Sequence, residues 1–88
     1  MGEVLASLRI LPEDTEVNTE DLSRKIEESI GKECTINRMT TEEIGFGLKA
    51  LILEVIVPDE EGRISSIENK LMSISGISQV DTQNVSLI

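Results

Sequence analysis

Residues 48–57, near the middle of the chain, form a long and almost uninterrupted apolar stretch. Eight of these ten residues are apolar, and only Lys49 and Glu54 are polar. A run of this length between a glycine and Pro58, without helical spacing, is typical of a β-strand covered on both faces. The stretch therefore predicts the central strand of a sheet, and every other element must be placed around it.

Three other segments predict strands. Residues 4–10 alternate apolar and polar side chains with a period of two, and this pattern ends at Pro12. Such alternation is typical of a half-buried strand. Residues 34–39 and 77–87 predict two further strands, and residues 40–43 predict a turn that leads into the apolar stretch.

Two segments repeat apolar residues every three or four positions, which predicts helices with one apolar stripe each. The first begins after Asn18, a good capping residue, and ends at Gly31. The second follows the chain-breaking segment 58–62 and ends at Gly76. The two stripes consist of Leu22, Ile26 and Ile30 in the first helix and of Ile64, Ile67, Leu71 and Ile74 in the second.

The order of these elements predicts an α+β fold, a ferredoxin-like βαββαβ sandwich in which two helices cover one face of a four-stranded antiparallel sheet. No linker or repeat divides the sequence, so we expect a single domain over residues 1–88. The residues expected on the helix-covered face are Val4, Ala6, Leu8, Ile10, Leu51, Leu53, Val55 and Val57.

The open face of the long central strand is also apolar. It would carry Ala50, Ile52, Glu54 and Ile56. Two interpretations remain open here: a central strand is often apolar on both faces, and an apolar open face can also be a binding surface.

Composition excludes several classes of function. The chain has seventeen acidic and eight basic residues, a net charge of −9, which argues against direct nucleic-acid binding. No apolar run approaches the roughly 20 residues that span a bilayer, and no signal-peptide pattern is present. We therefore expect a cytoplasmic protein that binds neither nucleic acid nor membranes and acts on other proteins.

The sequence also lacks the residues of common catalytic and metal sites. It contains no histidine and one cysteine, Cys34, so neither a Cys/His pair nor a zinc site can form. A half-buried structural thiol is the expected role of Cys34. We predict no catalytic residue, no metal and no cofactor, which means that the protein is not expected to be an enzyme.

The one aromatic residue, Phe46, stands between Gly45 and Gly47. Glycine removes the neighbouring Cβ atoms and permits backbone angles that other residues avoid. Two interpretations follow. The ring either caps one end of the core, with the glycines shaping a hairpin corner, or is presented to another molecule.

Two classes of function are compatible with these features. One is a protein-interaction module that acts through the presented ring. The other is a small regulatory domain that binds a ligand at a sheet edge or a dimer interface. Fold alone does not choose between them, because this architecture carries many unrelated functions.

Four features together resemble a known family. They are the glycine-flanked stretch 45–51, the apolar strand that follows it, the acidic turn 59–62 and a terminal strand that contains Val80 and Asp81. In these and in element order the chain resembles the guanine-nucleotide exchange domain of elongation factor 1-beta, and its length is similar to the archaeal form. The resemblance implies a protein that binds the translational GTPase elongation factor 1-alpha and promotes GDP release and GTP reloading.

The resemblance also implies partner-binding residues. In the family the ring between the glycines is inserted into the GTPase, which carries over to Phe46 with Gly45 and Gly47. Lys49 matches a family lysine, which either contacts the partner or affects only encounter and solubility. We expect the free protein to be a monomer.

The carboxy-terminal segment departs from the eukaryotic members of the family. Those members place a lysine second from the end and direct it toward the magnesium and phosphate region of the GTPase. This chain has Leu87 there, followed by Ile88. We expect the terminal strand to run to its last residues, to lie on the Phe46 side of the sheet and to contact the partner through these two side chains.

Overall fold

A four-stranded antiparallel sheet with two helices makes up the computed structural model, which describes residues 2–88. The elements are β1 Glu3–Pro12, α1 Thr19–Ile30, β2 Thr35–Gly45, β3 Leu48–Pro58, α2 Arg63–Met72 and β4 Ile77–Leu87. The strand order is β2-β3-β1-β4, which makes β1 and β3 central and β2 and β4 the edge strands. The predicted ferredoxin-like βαββαβ fold is confirmed.

The pairing of β1 with β3 organises the core. Val4 lies opposite Val57 and Ile10 lies opposite Leu51, so alternate residues of both strands project toward the helices. All eight residues predicted for the helix-covered face are buried. From the helices they meet the buried residues Leu22, Ile26, Ile30, Ile67 and Leu71.

The face of β3 that the helices do not cover is only partly exposed to solvent. Ala50 is fully buried there, and Ile52 and Ile56 are half-buried. None of these side chains is among the strongly exposed large apolar residues of the described chain. The open face of β3 therefore carries partly exposed apolar side chains, as a central strand often does.

The predicted turn at residues 40–43 is wrong, because these residues belong to β2. The strand continues through them to Gly45 and pairs with β3, with Thr41 opposite Leu51 and Glu43 opposite Lys49. An edge strand can carry polar side chains on both faces. Residues 40–43 therefore lack the apolar alternation by which a strand is recognised in a sequence.

The second helix is also shorter than predicted. It ends at Met72, before Gly76. Ile74 lies in the following loop but still packs against the core, which explains why the apolar spacing of the helix continues past its end. Within residues 2–88, no helix has the length and apolar character needed to cross a membrane.

Strand directions define two ends of the sheet. At the hairpin end, β1 finishes at Pro12, β2 turns into β3 and β4 begins at Ile77. At the opposite end, the carboxy end, β1 begins at Glu3 and β4 finishes at Leu87. The molecule is elongated, with principal extents of 42 × 21 × 17 Å.

Capping at Asn18 provides a test of how α1 is held. Its Oδ1 atom accepts hydrogen bonds from the backbone N–H groups of Glu20, at 2.8 Å, and Asp21, at 3.3 Å. Asn18→Ala should therefore lower the free energy of unfolding by about 1 kcal/mol in urea denaturation. Asn37→Ala, at an exposed position in β2, should change it by less than about 0.5 kcal/mol. Equal effects of the two substitutions would contradict the capping role.

Candidate functional site

A two-residue loop at the hairpin end presents the one aromatic side chain. Gly45 pairs with Leu48, so only Phe46 and Gly47 connect β2 to β3. Their φ angles are +53° and +78°. Positive φ at both central residues is what a type I′ hairpin turn requires. Gly45, at φ +110° beside a register shift in the β2–β3 ladder, gives the strand its final bend.

The Phe46 side chain is fully exposed, at 104% of its reference area. The interpretation that it caps the core is therefore wrong. Its backbone also lies in the left-handed region, which glycine and asparagine adopt far more readily than a bulky residue. The hairpin thus holds an apolar ring in water and in an unfavourable conformation, a combination that folding alone does not require.

A groove of about 300 Å³ lies beside this hairpin, between its base and the segment that joins β1 to α1. Its lining residues are Pro12, Asp14, Thr15, Val17, Asn18, Thr19, Gly47 and Lys49. The Lys49 side chain is exposed and, among residues 2–88, makes no ion pair within 4.0 Å. Its ammonium group is therefore available to another molecule at the same end as Phe46.

Leu87 and Ile88 lie at the carboxy end, far from Phe46. Leu87 is paired with Val4, which in turn faces Val57, nine residues along β3 from the start of that strand at Leu48. At about 3.3 Å per residue this places the two sites roughly 30 Å apart. The expectation that the terminal strand brings these residues to the Phe46 side is wrong, although β4 does run to Leu87 as predicted.

The six predicted contact residues therefore form two groups. Gly45, Phe46, Gly47 and Lys49 lie together at the hairpin end, whereas Leu87 and Ile88 lie at the carboxy end, 72% and 65% exposed. The sequence reasoning missed Val85, which is also strongly exposed and lies on the same face of β4 as Leu87. The sequence does contain a signal for it, because residues two positions apart in a strand point to the same face.

Two kinds of reactive group can be assessed in the described residues, namely clusters of metal ligands and the thiol of Cys34. No group of three or more His, Cys, Asp or Glu side chains within residues 2–88 could hold a metal ion. Cys34 is half-buried, as predicted, and its Sγ atom donates to the carbonyl oxygen of Ile30 at 3.4 Å. Burial raises the pKa of this thiol, and the neighbouring Glu33 carboxylate raises it further, so the unreactive thiol form dominates near neutral pH.

Comparison with solved structures supports the fold. The chain is similar to the ACT domain from GTP pyrophosphokinase of Chlorobium tepidum, with a TM-score of 0.73, 20% identity and coverage of 96% of this chain and 90% of that domain. It is also similar to the C-terminal domain of the MgtC protein from Mycobacterium tuberculosis, with a TM-score of 0.67, 13% identity and coverage of 99% and 89%. These likenesses define a protein of the ferredoxin-like class.

Sequence comparison identifies the family. A family model described as the EF-1 guanine nucleotide exchange domain matches residues 5–88. The chain is 47% identical to elongation factor 1-beta of Thermoplasma acidophilum over 88 residues, which is the full length of both. It is 40% identical to that of Staphylothermus marinus over 86 residues, covering 97% of this chain and 96% of the relative. The chain belongs to the elongation factor 1-beta family, and its curated relatives include archaeal proteins of the same length.

Stability measurements can test whether the Phe46 ring contributes to folding. Phe46→Ala should change the free energy of unfolding by less than about 1 kcal/mol, against roughly 3 to 5 kcal/mol for a core phenylalanine. Phe46→Asn should leave the protein at least as stable as wild type, because asparagine tolerates positive φ. The matched control is Leu53→Ala in the core, which should cost about 2 to 5 kcal/mol. A loss at Phe46 as large as that at Leu53 would contradict the exposed position.

Proposed function

We propose that this protein binds the GTPase elongation factor 1-alpha and promotes the release of its GDP, so that GTP can take the empty site. Membership of the exchange-domain family supports the proposal. The observation that carries it is the Phe46 ring, fully exposed on a two-residue turn in a conformation that serves no purpose in the folded chain alone. Because the turn is already folded, binding has to fix only the two side-chain torsions of the ring, which favours its use as an anchor.

In this proposal Phe46 enters an apolar pocket of the GTPase, and Gly45 and Gly47 keep the neighbouring backbone free of side chains. Anchors of this kind often dominate the binding free energy of an interface. Lys49, on the same end of the sheet, contacts the partner or assists encounter through its free ammonium group. Leu87 and Ile88 form a second contact at the carboxy end.

Exchange then follows from reciprocal coupling between two ligands. If the factor lowers the affinity of the GTPase for GDP by some ratio, GDP lowers the affinity of the factor by the same ratio. The two ligands compete through a shared nucleotide-free complex, and the cellular excess of GTP sets the direction. No covalent bond is made or broken in this scheme, so it needs no catalytic residue and no cofactor. The protein acts as a cytoplasmic, single-domain monomer at working concentrations.

A nucleotide-release assay tests the function and the anchor together. Purified elongation factor 1-alpha is loaded with a fluorescent GDP analogue, and release is followed with and without this protein. Wild type should accelerate release, and Phe46→Ala should weaken binding to the GTPase by 2 kcal/mol or more, roughly 30-fold. The matched control is Met72→Ala, another exposed apolar residue, located on α2, which should behave as wild type.

Two outcomes would contradict the proposal. If wild type leaves the release rate unchanged at saturating concentration, the proposed function is wrong. If wild type is active and Phe46→Ala is equally active, exchange does not depend on the ring. That result would not favour the alternative, a small regulatory ligand-binding domain, because such a domain does not explain accelerated GDP release.

The separation of the two groups predicts how their contributions combine. Leu87→Ala should weaken binding to the GTPase by about 1 kcal/mol, and its effect should add to that of Phe46→Ala within roughly 0.5 kcal/mol. Additivity is expected because sites about 30 Å apart share no contacts in this chain. The affinities of both single variants and the double variant for nucleotide-free GTPase provide the check. A neutral Leu87→Ala would remove the carboxy end from the interface.

A further inference from the structure

The last seven residues differ in charge from the rest of the chain. Residues 82–88 contain no charged side chain, whereas 28% of the whole sequence is charged. Three of the large apolar side chains that are strongly exposed in the described part of the chain lie here, at Val85, Leu87 and Ile88. A segment that lacks charged side chains and exposes three large apolar ones is unusual on a small protein with a net charge of −9.

This segment contains the last part of β4, which is an edge strand of the sheet. β4 pairs with β1 on one side and, in the described residues, with no strand on the other. The backbone N–H of Ile88 donates to the carbonyl oxygen of Glu3 at 3.0 Å, so it points toward β1. Because backbone groups alternate along an antiparallel strand, those of Leu87 and Val85 point outward. They offer unpaired donors and acceptors beside exposed apolar side chains.

The two edges of the sheet are protected to different degrees. The β2 edge carries charged side chains, including Arg38, Glu42 and Glu43, and has two register shifts. Charged side chains on an edge strand oppose edge-to-edge pairing. The β4 edge also has two register shifts, but it has one charged residue, Asp81, and from Thr82 to Leu87 it has no charged side chain and no proline.

Charge also indicates what can lie against this edge. Two copies of a chain with a net charge of −9 repel one another over most of their surfaces. A partner of opposite charge would instead be attracted to the acidic surfaces and has no electrostatic reason to choose the neutral edge. The β4 edge is thus where a second copy can approach with the least repulsion.

We propose that the β4 edge pairs with the β4 edge of a second copy of this chain, antiparallel and centred on Val85. In this register each Val85 faces its equivalent through outward backbone groups, and Leu87 lies diagonal to Val85 of the second copy on the same face. The contact is self-complementary, as two-fold symmetry requires. It extends the four strands of one molecule into a continuous sheet of eight.

The pairing is weak and concentration-dependent, because one short strand buries less area than a stable dimer interface. The protein therefore remains monomeric at the low concentrations of an exchange assay and pairs only when concentrated. This inference goes beyond the proposed function and does not depend on it. Pairing covers Leu87. If the GTPase also contacts Leu87, pairing and GTPase binding compete, and this competition can be measured.

Sedimentation equilibrium over roughly 0.02 to 2 mM protein tests the pairing directly. The weight-average mass of wild type should rise from 9.7 kDa toward twice that value. Val85→Lys places two ammonium groups at the centre of the contact and should keep the mass at 9.7 kDa throughout. The matched control is Met72→Lys, which makes the same charge change at a similarly exposed residue on α2 and should associate as wild type does.

The salt dependence of the pairing provides a second test, because the predicted change has a definite direction. Raising salt from about 0.05 to 0.5 M should strengthen the pairing several-fold, because it screens the repulsion between two acidic molecules. A constant mass of 9.7 kDa for wild type at every concentration and both salt levels would overturn the proposal. Pairing of Val85→Lys as tight as that of wild type would overturn the assignment to the β4 edge. Circular dichroism of each variant confirms that its fold is intact.

Discussion

The pairing of β1 with β3 is the interaction on which the rest of the structure depends. It brings two alternating strands into register, so that one face of the sheet presents a continuous apolar surface from Val4 and Val57 to Ile10 and Leu51. Both helices bury their stripes on this surface, and both edge strands are added to its sides. The length and direction of these two strands determine where the hairpin end and the carboxy end of the sheet lie.

That framework allows the hairpin end to carry a feature that is unfavourable for folding. A fully exposed Phe46 at φ +53° is opposed both by its exposure to water and by its backbone conformation. The long β2–β3 ladder holds the turn in place despite this cost. The stability of the folded chain therefore keeps this one ring exposed at the hairpin end.

The sequence predicts the core well because the alternation in β1 and the long apolar run in β3 both indicate burial, and all eight positions expected on the helix-covered face are buried. It fails at residues 40–43, where an edge strand exposed on both faces leaves no apolar period to read. The position of Leu87 was misjudged although the fold itself determines it. Since β4 starts at the hairpin end, its last residues must lie at the other. The positive φ angle of Phe46 could not be predicted from the sequence, in which the two neighbouring glycines are the one indication of an unusual backbone.

Phe46 is the one phenylalanine of the chain, so biosynthetic labelling with 4-fluorophenylalanine places a single fluorine probe on the ring in question. Fluorine NMR then reports solvent exposure through the change in chemical shift between H₂O and D₂O. The free protein should give one resonance with the full solvent shift of an exposed ring. Saturation with nucleotide-free elongation factor 1-alpha should abolish that shift as the ring becomes buried. A resonance that keeps its full solvent shift in the saturated complex would contradict the central role given to Phe46.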